Sequence, residues 1–409
     1  MSEAKVKDKA AGGSAVPQEI AALTGNEAVA MAMKQINPDV VAAYPITPAT
    51  EIVQIFSNYV ADGVVDTEYV AVESEHSAMS ACIGASAAGA RVMTGTSAQG
   101  LALMWEMLYI AAGLRLPIVL ADVNRALSAP INIHCDHSDT MGARDSGWIQ
   151  IFSEDAQEAY DNTIQAIRIA EHPDILLPAM VTMDGFIISH GMEVVKVLPD
   201  EAVRAFVGTY NPKVKLLDVD TPRTYGALDF TDFYFEHRRQ LAEPIAKAKE
   251  VIQEIGREYG KISGRTYGLY EGYRLDDAEY VIVLLGSTAG TAKTVVDDLR
   301  ESGVKAGLLK IRVFRPFPYD EMAALLERRK AVGVMDRSDG LAGLGGPLFG
   351  ELRSALYESK NRPPMKDYVY GLGGRDCGPA LIRQVFDELL EIGKTGQVKE
   401  RFSYLGVRE

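Results

Sequence analysis

The chain has 409 residues, of which 47% are apolar and 24% charged, and a formal net charge of −14; this length and balance fit a globular protein of two or three domains. The acidic excess argues against a nucleic-acid binder, which needs clustered Lys and Arg, and no apolar run approaches the ~20 residues of a bilayer span. Only three cysteines occur, Cys82, Cys135 and Cys377, far apart in the sequence: they suit a reducing cytoplasm and are too few for an iron–sulfur cluster held by this chain alone, which takes about four thiolates.

Residues 1–19 are polar, lack the apolar stretch of a secretory signal, and are expected to form a flexible tail. Beyond them, strands are predicted at 39–43, 68–72, 91–96, 117–123 and 175–182, and helices at 49–61, 75–90, 99–112 and 156–171. Such alternation predicts a parallel sheet covered by helices, and continuous apolar strands such as PIVLADV fit burial on both faces. Residues 186–235 are punctuated by Pro and Asp and read as an irregular excursion, followed by a charged connector helix at 235–259. A second α/β unit is expected, with strands at 280–285, 306–313 and 331–336 and helices at 291–302, 319–328, 348–359 and 379–392. The polar residues 394–409 read as a C-terminal tail.

Four stretches at predicted strand ends carry candidate chemistry, which is where open α/β sheets place ligands. YPITP puts Thr47 on a turn stiffened by Pro45 and Pro48; alone, it reads as a strand-to-helix turn capped by Thr47. VESEH places Glu75 in the first turn of a helix N-capped by Ser74, where the helix dipole favours an anion by ~0.3–1 kcal/mol. The helix that follows, SAMSACIGASAAGA, is dense in small residues and allows close approach of another chain or a cofactor. TGTSAQG, 94–100, offers backbone N–H groups to a polar ligand but is no phosphate loop. Arg125 directly follows a strand, a placement suited either to bidentate capture of a carboxylate or to an ion pair with Asp122 or Asp136. The nearby HCDH, with His134 and His137, lacks the further clustered ligands of a metal site and reads as loop packing. The sequence also lacks the Gly-Asp-Gly…Asn arrangement that holds Mg²⁺ and a diphosphate in thiamine enzymes, and a Rossmann glycine pattern after the first strand.

Together, AAYPITP, VESEHSAMSA, NRALSAPINIHCDHSD, RDSGWIQ, MDGFIISHG, TYGALD and FRPFP occur in an order that resembles the alpha subunit of the 2-oxoacid:ferredoxin oxidoreductases, pyruvate:ferredoxin oxidoreductase above all. The resemblance implies an α/β fold: a thiamine-diphosphate-binding domain of the pyrimidine type at 20–260, connector helix included, then a transketolase C-terminal-like domain at 261–393. It implies that Glu75 hydrogen-bonds the aminopyrimidine of thiamine diphosphate, and that Thr47 and Arg125 bind the 2-oxoacid. It further implies beta, gamma and delta-type partner subunits. The beta subunit would hold the diphosphate and Mg²⁺, and [4Fe–4S] clusters in partners would pass electrons to ferredoxin, with coenzyme A as acyl acceptor. Thr47 beside Pro48 favours a small substrate with a neutral tail. Branched-chain 2-oxoacids, 2-oxoglutarate or oxalate remain alternative substrates, and a non-catalytic scaffold is the rival from another class.

Overall fold

The computed structural model describes residues 16–408. Seven strands form the first sheet, in the order Val313–Arg315, Ile149–Phe152, Ala179–Asp184, Val119–Asn124, Val92–Thr96, Val40–Ala43, Glu68–Ala71. The last six are parallel, and only Val313–Arg315 runs antiparallel at one edge. Parallel strands need crossovers, supplied here by helices on both faces. The centre of the sheet is apolar because each strand is buried on both sides. Helix Ala156–Ala170 is almost wholly buried, and helix Ala242–Ser263 packs Val251, Ile252, Ile255 and Tyr259 into the same core.

The second sheet has the order Phe402–Leu405, Met365–Tyr370, Ala331–Asp336, Tyr280–Leu284, Ala306–Ile311, Tyr270–Tyr273. Its strands are parallel except Tyr270–Tyr273. The carboxyl ends of the two sheets face each other: Asp184, at the end of a first-sheet strand, meets Arg337, which follows the strand Ala331–Asp336. Among the described residues no helix is long and apolar enough to cross a membrane.

Several expectations need correction. Residues 1–15 of the expected tail lie outside the described residues, but Val16 donates its N–H to Ile262 O and Glu19 opens a strand, Glu19–Leu23, antiparallel to Glu193–Val197. Pairing satisfies the backbone that a free tail would leave to water. Residues 402–405 of the expected C-terminal tail form an edge strand beside Met365–Tyr370. The helix expected at 99–112 breaks at Met104 into Ala98–Leu103 and Trp105–Gly113. The connector breaks at Leu241, into Tyr234–Gln240 and Ala242–Ser263. Pro244 sits three residues on, in the first turn of the second helix, where a missing N–H costs no hydrogen bond.

Candidate active site

Thr47, Glu75, Gln99 and Arg125 all follow parallel strands of the first sheet and so emerge at one end of it. Arg125 is 8% exposed, and its guanidinium donates to Thr47 O at 2.9 Å and to Asn132 O at 3.0 Å. No carboxylate pairs with it among the described residues. Asp122 accepts from Asn124, and Asp136 accepts from Ser138 and from the Gly373 N–H. The ion pair weighed for Arg125 is therefore not formed among the described residues, and part of the guanidinium fork is left without a partner there. The Thr47–Pro48 turn is fixed from the other side by Asn26, whose Nδ2 donates to Pro48 O at 2.9 Å, while Thr47 itself is exposed.

Glu75 opens helix Glu75–Ala88, N-capped by Ser74 Oγ, which accepts from Ser77 N at 3.2 Å. Its side chain is buried at 7% exposure and receives no side-chain or backbone hydrogen bond among the described residues. A methyl group at Gly100 would stand 2.8 Å from Glu75 Oε1 and would also strike the Thr96 hydroxyl, so only glycine leaves room there. Thr96 shares this space with the carboxylate, and at the same strand end the Thr96 and Ser97 hydroxyls and both polar atoms of the Gln99 amide are buried without a partner among the described residues. Native proteins leave few such groups, because each costs about 1–3 kcal/mol. Gathered at a strand end, they describe a cradle for a polar heterocycle, and the donor set fits an aminopyrimidine: an anion, hydroxyls and a primary amide.

Behind the cradle lies a buried carboxyl pair. One Asp139 oxygen accepts from Ala98 N at 3.1 Å and Arg125 N at 2.9 Å; the other accepts from Asn124 Nδ2 and Thr140 N at 2.9 and 2.8 Å. Asp139 thus ties the loop of Gln99 to the strand end of Arg125. Burial pushes Asp139 up to about 6, against the N–H groups that pull it down. Burial and then the charge of Asp139 hold Asp122 well above the usual carboxylate range. Sequence reasoning passed over this pair; the available signal was an Asp inside the apolar strand Val119–Asn124.

His134 and His137 part company. His134 lies over the ring of Phe186, while His137 is buried with Nε2 2.7 Å from Asp184 Oδ1. Cys135, His137 and Asp184 come within metal-ligand reach of one another, yet Asp184 is already occupied by His137, Ser287 and Arg337. Burial would raise the Asp184 carboxyl, but His137 and Arg337 outweigh it and hold it far below its ordinary value. This cluster is a tie between the two units. A cavity of about 800 Å³ beside Arg353, Tyr357, Arg362 and Arg401 includes none of the candidate residues.

Residues 31–257 match the family model described as pyruvate flavodoxin/ferredoxin oxidoreductase, thiamine-diphosphate-binding, and residues 278–382 match pyruvate:ferredoxin oxidoreductase core domain II. The chain belongs to the pyruvate flavodoxin/ferredoxin oxidoreductase family. Within this family it is 57% identical to pyruvate synthase subunit PorA of Thermotoga maritima, over 96% of this chain and 99% of that one. It is 50% identical to the PorA subunit of Methanocaldococcus jannaschii, over 91% and 95%. It is also 44% identical to ketoisovalerate oxidoreductase subunit VorA of Pyrococcus abyssi, over 92% and 95%. In fold it resembles a 2-oxoglutarate:ferredoxin oxidoreductase from Magnetococcus marinus, solved with 2-oxoglutarate, coenzyme A and succinyl-CoA, at TM-score 0.68 and 21% identity, over 91% of this chain and 66% of that one. A split-gene transketolase follows at TM-score 0.53 and 12% identity, over 92% of this chain and 100% of that one. The family fold is thus a thiamine-diphosphate-binding parallel-sheet domain followed by a transketolase-like α/β domain.

Proposed function

We propose that this chain is the alpha subunit of a pyruvate:ferredoxin oxidoreductase, which converts pyruvate, coenzyme A and oxidised ferredoxin reversibly to acetyl-coenzyme A, carbon dioxide and reduced ferredoxin. The observation that carries the reading is the buried Glu75 carboxylate, free of partners among the described residues, with the unpaired Thr96, Ser97 and Gln99 at the adjoining strand end. These residues would hold the aminopyrimidine end of thiamine diphosphate, with Glu75 keeping a proton on the ring nitrogen it faces. Bound there, thiamine diphosphate supplies the nucleophilic carbon and the electron sink that decarboxylation requires. Arg125 orients the substrate carboxylate with its unpaired N–H groups, and Thr47, held by the same guanidinium, offers its hydroxyl beside it.

In this reading the diphosphate, Mg²⁺ and [4Fe–4S] clusters belong to beta and delta-type partners, a gamma subunit completes a cytoplasmic complex, and the three cysteines here, all free, ligate no cluster. Pyruvate is favoured over a branched-chain 2-oxoacid because the PorA relative of Thermotoga maritima is 57% identical and the VorA relative of Pyrococcus abyssi 44%.

The test is turnover of the purified complex with pyruvate, 2-oxoisovalerate, 2-oxoglutarate and oxalate, in wild type and with Glu75→Gln. Pyruvate should give the highest kcat/KM. Glu75→Gln should lower kcat by roughly 100-fold or more while leaving subunit composition unchanged. Wild-type turnover by that variant would remove Glu75 from the chemistry, and a higher kcat/KM for another 2-oxoacid would reassign the substrate.

A further inference from the structure

Between helix Asp200–Val207 and helix Tyr234–Gln240 the chain forms no helix or strand, and it touches the body at only a few points. The foot of this excursion stands on the helix that carries Glu75. Leu216 N donates to Ala87 O at 2.7 Å, and Tyr225 packs against the cluster under that helix. Beyond the foot, Val219, Leu228, Phe230, Phe233, Tyr234 and Phe235 are each 60–86% exposed. Helix Tyr234–Gln240 buries no residue at all. A fully exposed aromatic side chain offers about 150–250 Å², so the four rings, each 60–77% exposed, together present roughly 400–700 Å² of apolar surface. In sum this is comparable to the largest apolar patch of a typical monomer, about 300–600 Å², and with Val219 and Leu228 it approaches the ~800 Å² that one partner contributes to a stable interface.

We infer that residues 217–235 form an arm that grips another subunit of the complex, the one that completes the cofactor site opposite Glu75. The inference rests on the proposed shared site and adds the surface by which it is assembled. Position selects the occupant. To a chain that meets Glu75, helix Glu75–Ala88 offers an open stretch of small residues beyond that carboxylate: Gly84 is exposed, and a methyl group there would meet nothing within 4 Å. Leu103, Trp105 and Ile110, on the neighbouring helices, add 41–50% exposed apolar side chains to that side. The His76–Glu106 contact at 2.7 Å joins one of those helices to the Glu75 end. The foot of the arm stands on Ala87, at the far end of the same helix, so a chain that covers Glu75 and runs along this helix reaches it.

The test uses the co-expressed complex with the photo-crosslinker p-benzoylphenylalanine at position 230 or 235, and separately with Phe230→Asp, Phe233→Asp and Phe235→Asp combined. Irradiation should join this chain to a different subunit, identified by mass spectrometry. The triple variant should keep the wild-type circular dichroism and Tm but lose co-elution with its partners, its affinity falling roughly 100-fold or more. Crosslinks to a second copy of this chain, or only within it, overturn the inference, as does a triple variant that stays in the complex like wild type. If the triple variant does not fold, the crosslinks decide. The Glu75→Gln complex, crosslinked in parallel, separates the two readings: full activity there with the arm still joined to another subunit sinks the site but keeps the arm.

Discussion

At the seam between the two units, buried charges are answered several times over; at the strand ends around Glu75, buried polar groups go unanswered. Lys310 meets Glu154, Glu158 and Glu271, and Asp161 meets Arg265, Tyr259 and Tyr267. Asp184 meets His137, Ser287 and Arg337. By contrast the side-chain polar atoms of Thr96, Ser97 and Gln99 have no hydrogen-bond partner among the described residues. Both regions are polar and both are buried, so burial alone does not mark a site. What separates them is closure: a structural tie consumes its own hydrogen-bonding capacity, whereas the proposed half-site would keep it for a group that arrives from outside.

The sharpest way to break this contrast is to open the seam. Asp184→Ala leaves Arg337 buried without its counter-ion, and removing one partner of a buried pair costs about 3–5 kcal/mol. Chemical denaturation should show that loss, and a change under ~1 kcal/mol would mean the seam is not closed as described. On the site side, Gly100→Ala puts a methyl group 2.8 Å from Glu75 Oε1 and displaces the carboxylate. Misplacement of about 1 Å can cost roughly 100-fold in rate, so kcat of the complex should fall by about that factor, with thiamine diphosphate binding weakened in titration. Arg125→Lys keeps the charge but loses the fork. It should raise KM for the 2-oxoacid roughly 10-fold, with a smaller change in kcat.

The smallest effect concerns pH. Burial raises Asp139 to about 6 and Asp155 and Asp367 to about 7, from an ordinary value of 3.8. The native state therefore holds these protons at pH values where the unfolded chain has released them. Their contribution to stability is greatest below the ordinary value and is lost as pH rises through about 6 to 7. Asp184 acts oppositely and loses its contribution only in strong acid. The Tm should thus decline between about pH 5 and about pH 8. Asp367 accepts from Gly346 N at 2.7 Å, faces Asp336, and has its other oxygen unpaired. An amide can keep that acceptor and donate to Asp336, so Asp367→Asn should flatten the slope and raise Tm at about pH 8 by roughly 1–2 °C. An unchanged slope would remove Asp367 from the titration.

Much of the architecture is legible in the residues. Runs such as PIVLADV alternate with helical segments, and Thr47, Glu75 and Arg125 stand where those strands end. The contact of Arg125 with Thr47 was not legible, because it runs to a backbone carbonyl 78 positions away. Asp139 escaped for the same reason: its acceptor geometry joins Ala98 to Arg125, and backbone donors leave no mark on side-chain identity. The strand Ile149–Phe152 went unread because all four residues are buried, so no alternation of faces marks it. The excursion before the connector helix read simply as irregular. Its apolar residues acquire meaning only once the fold shows that they cover nothing of their own chain.

One edge of the first sheet carries a consequence for biosynthesis. Ile149–Phe152 is completed by Val313–Arg315, which comes from beyond the connector helix and among the strands of the second sheet. As the polypeptide emerges from the ribosome, the earlier sheet must wait with an open margin until the connector helix and three strands of the second sheet have been made. An unpaired margin invites pairing with another nascent chain. A gene cut after the connector helix would make that interval permanent, and the truncated product should aggregate where the full-length protein does not.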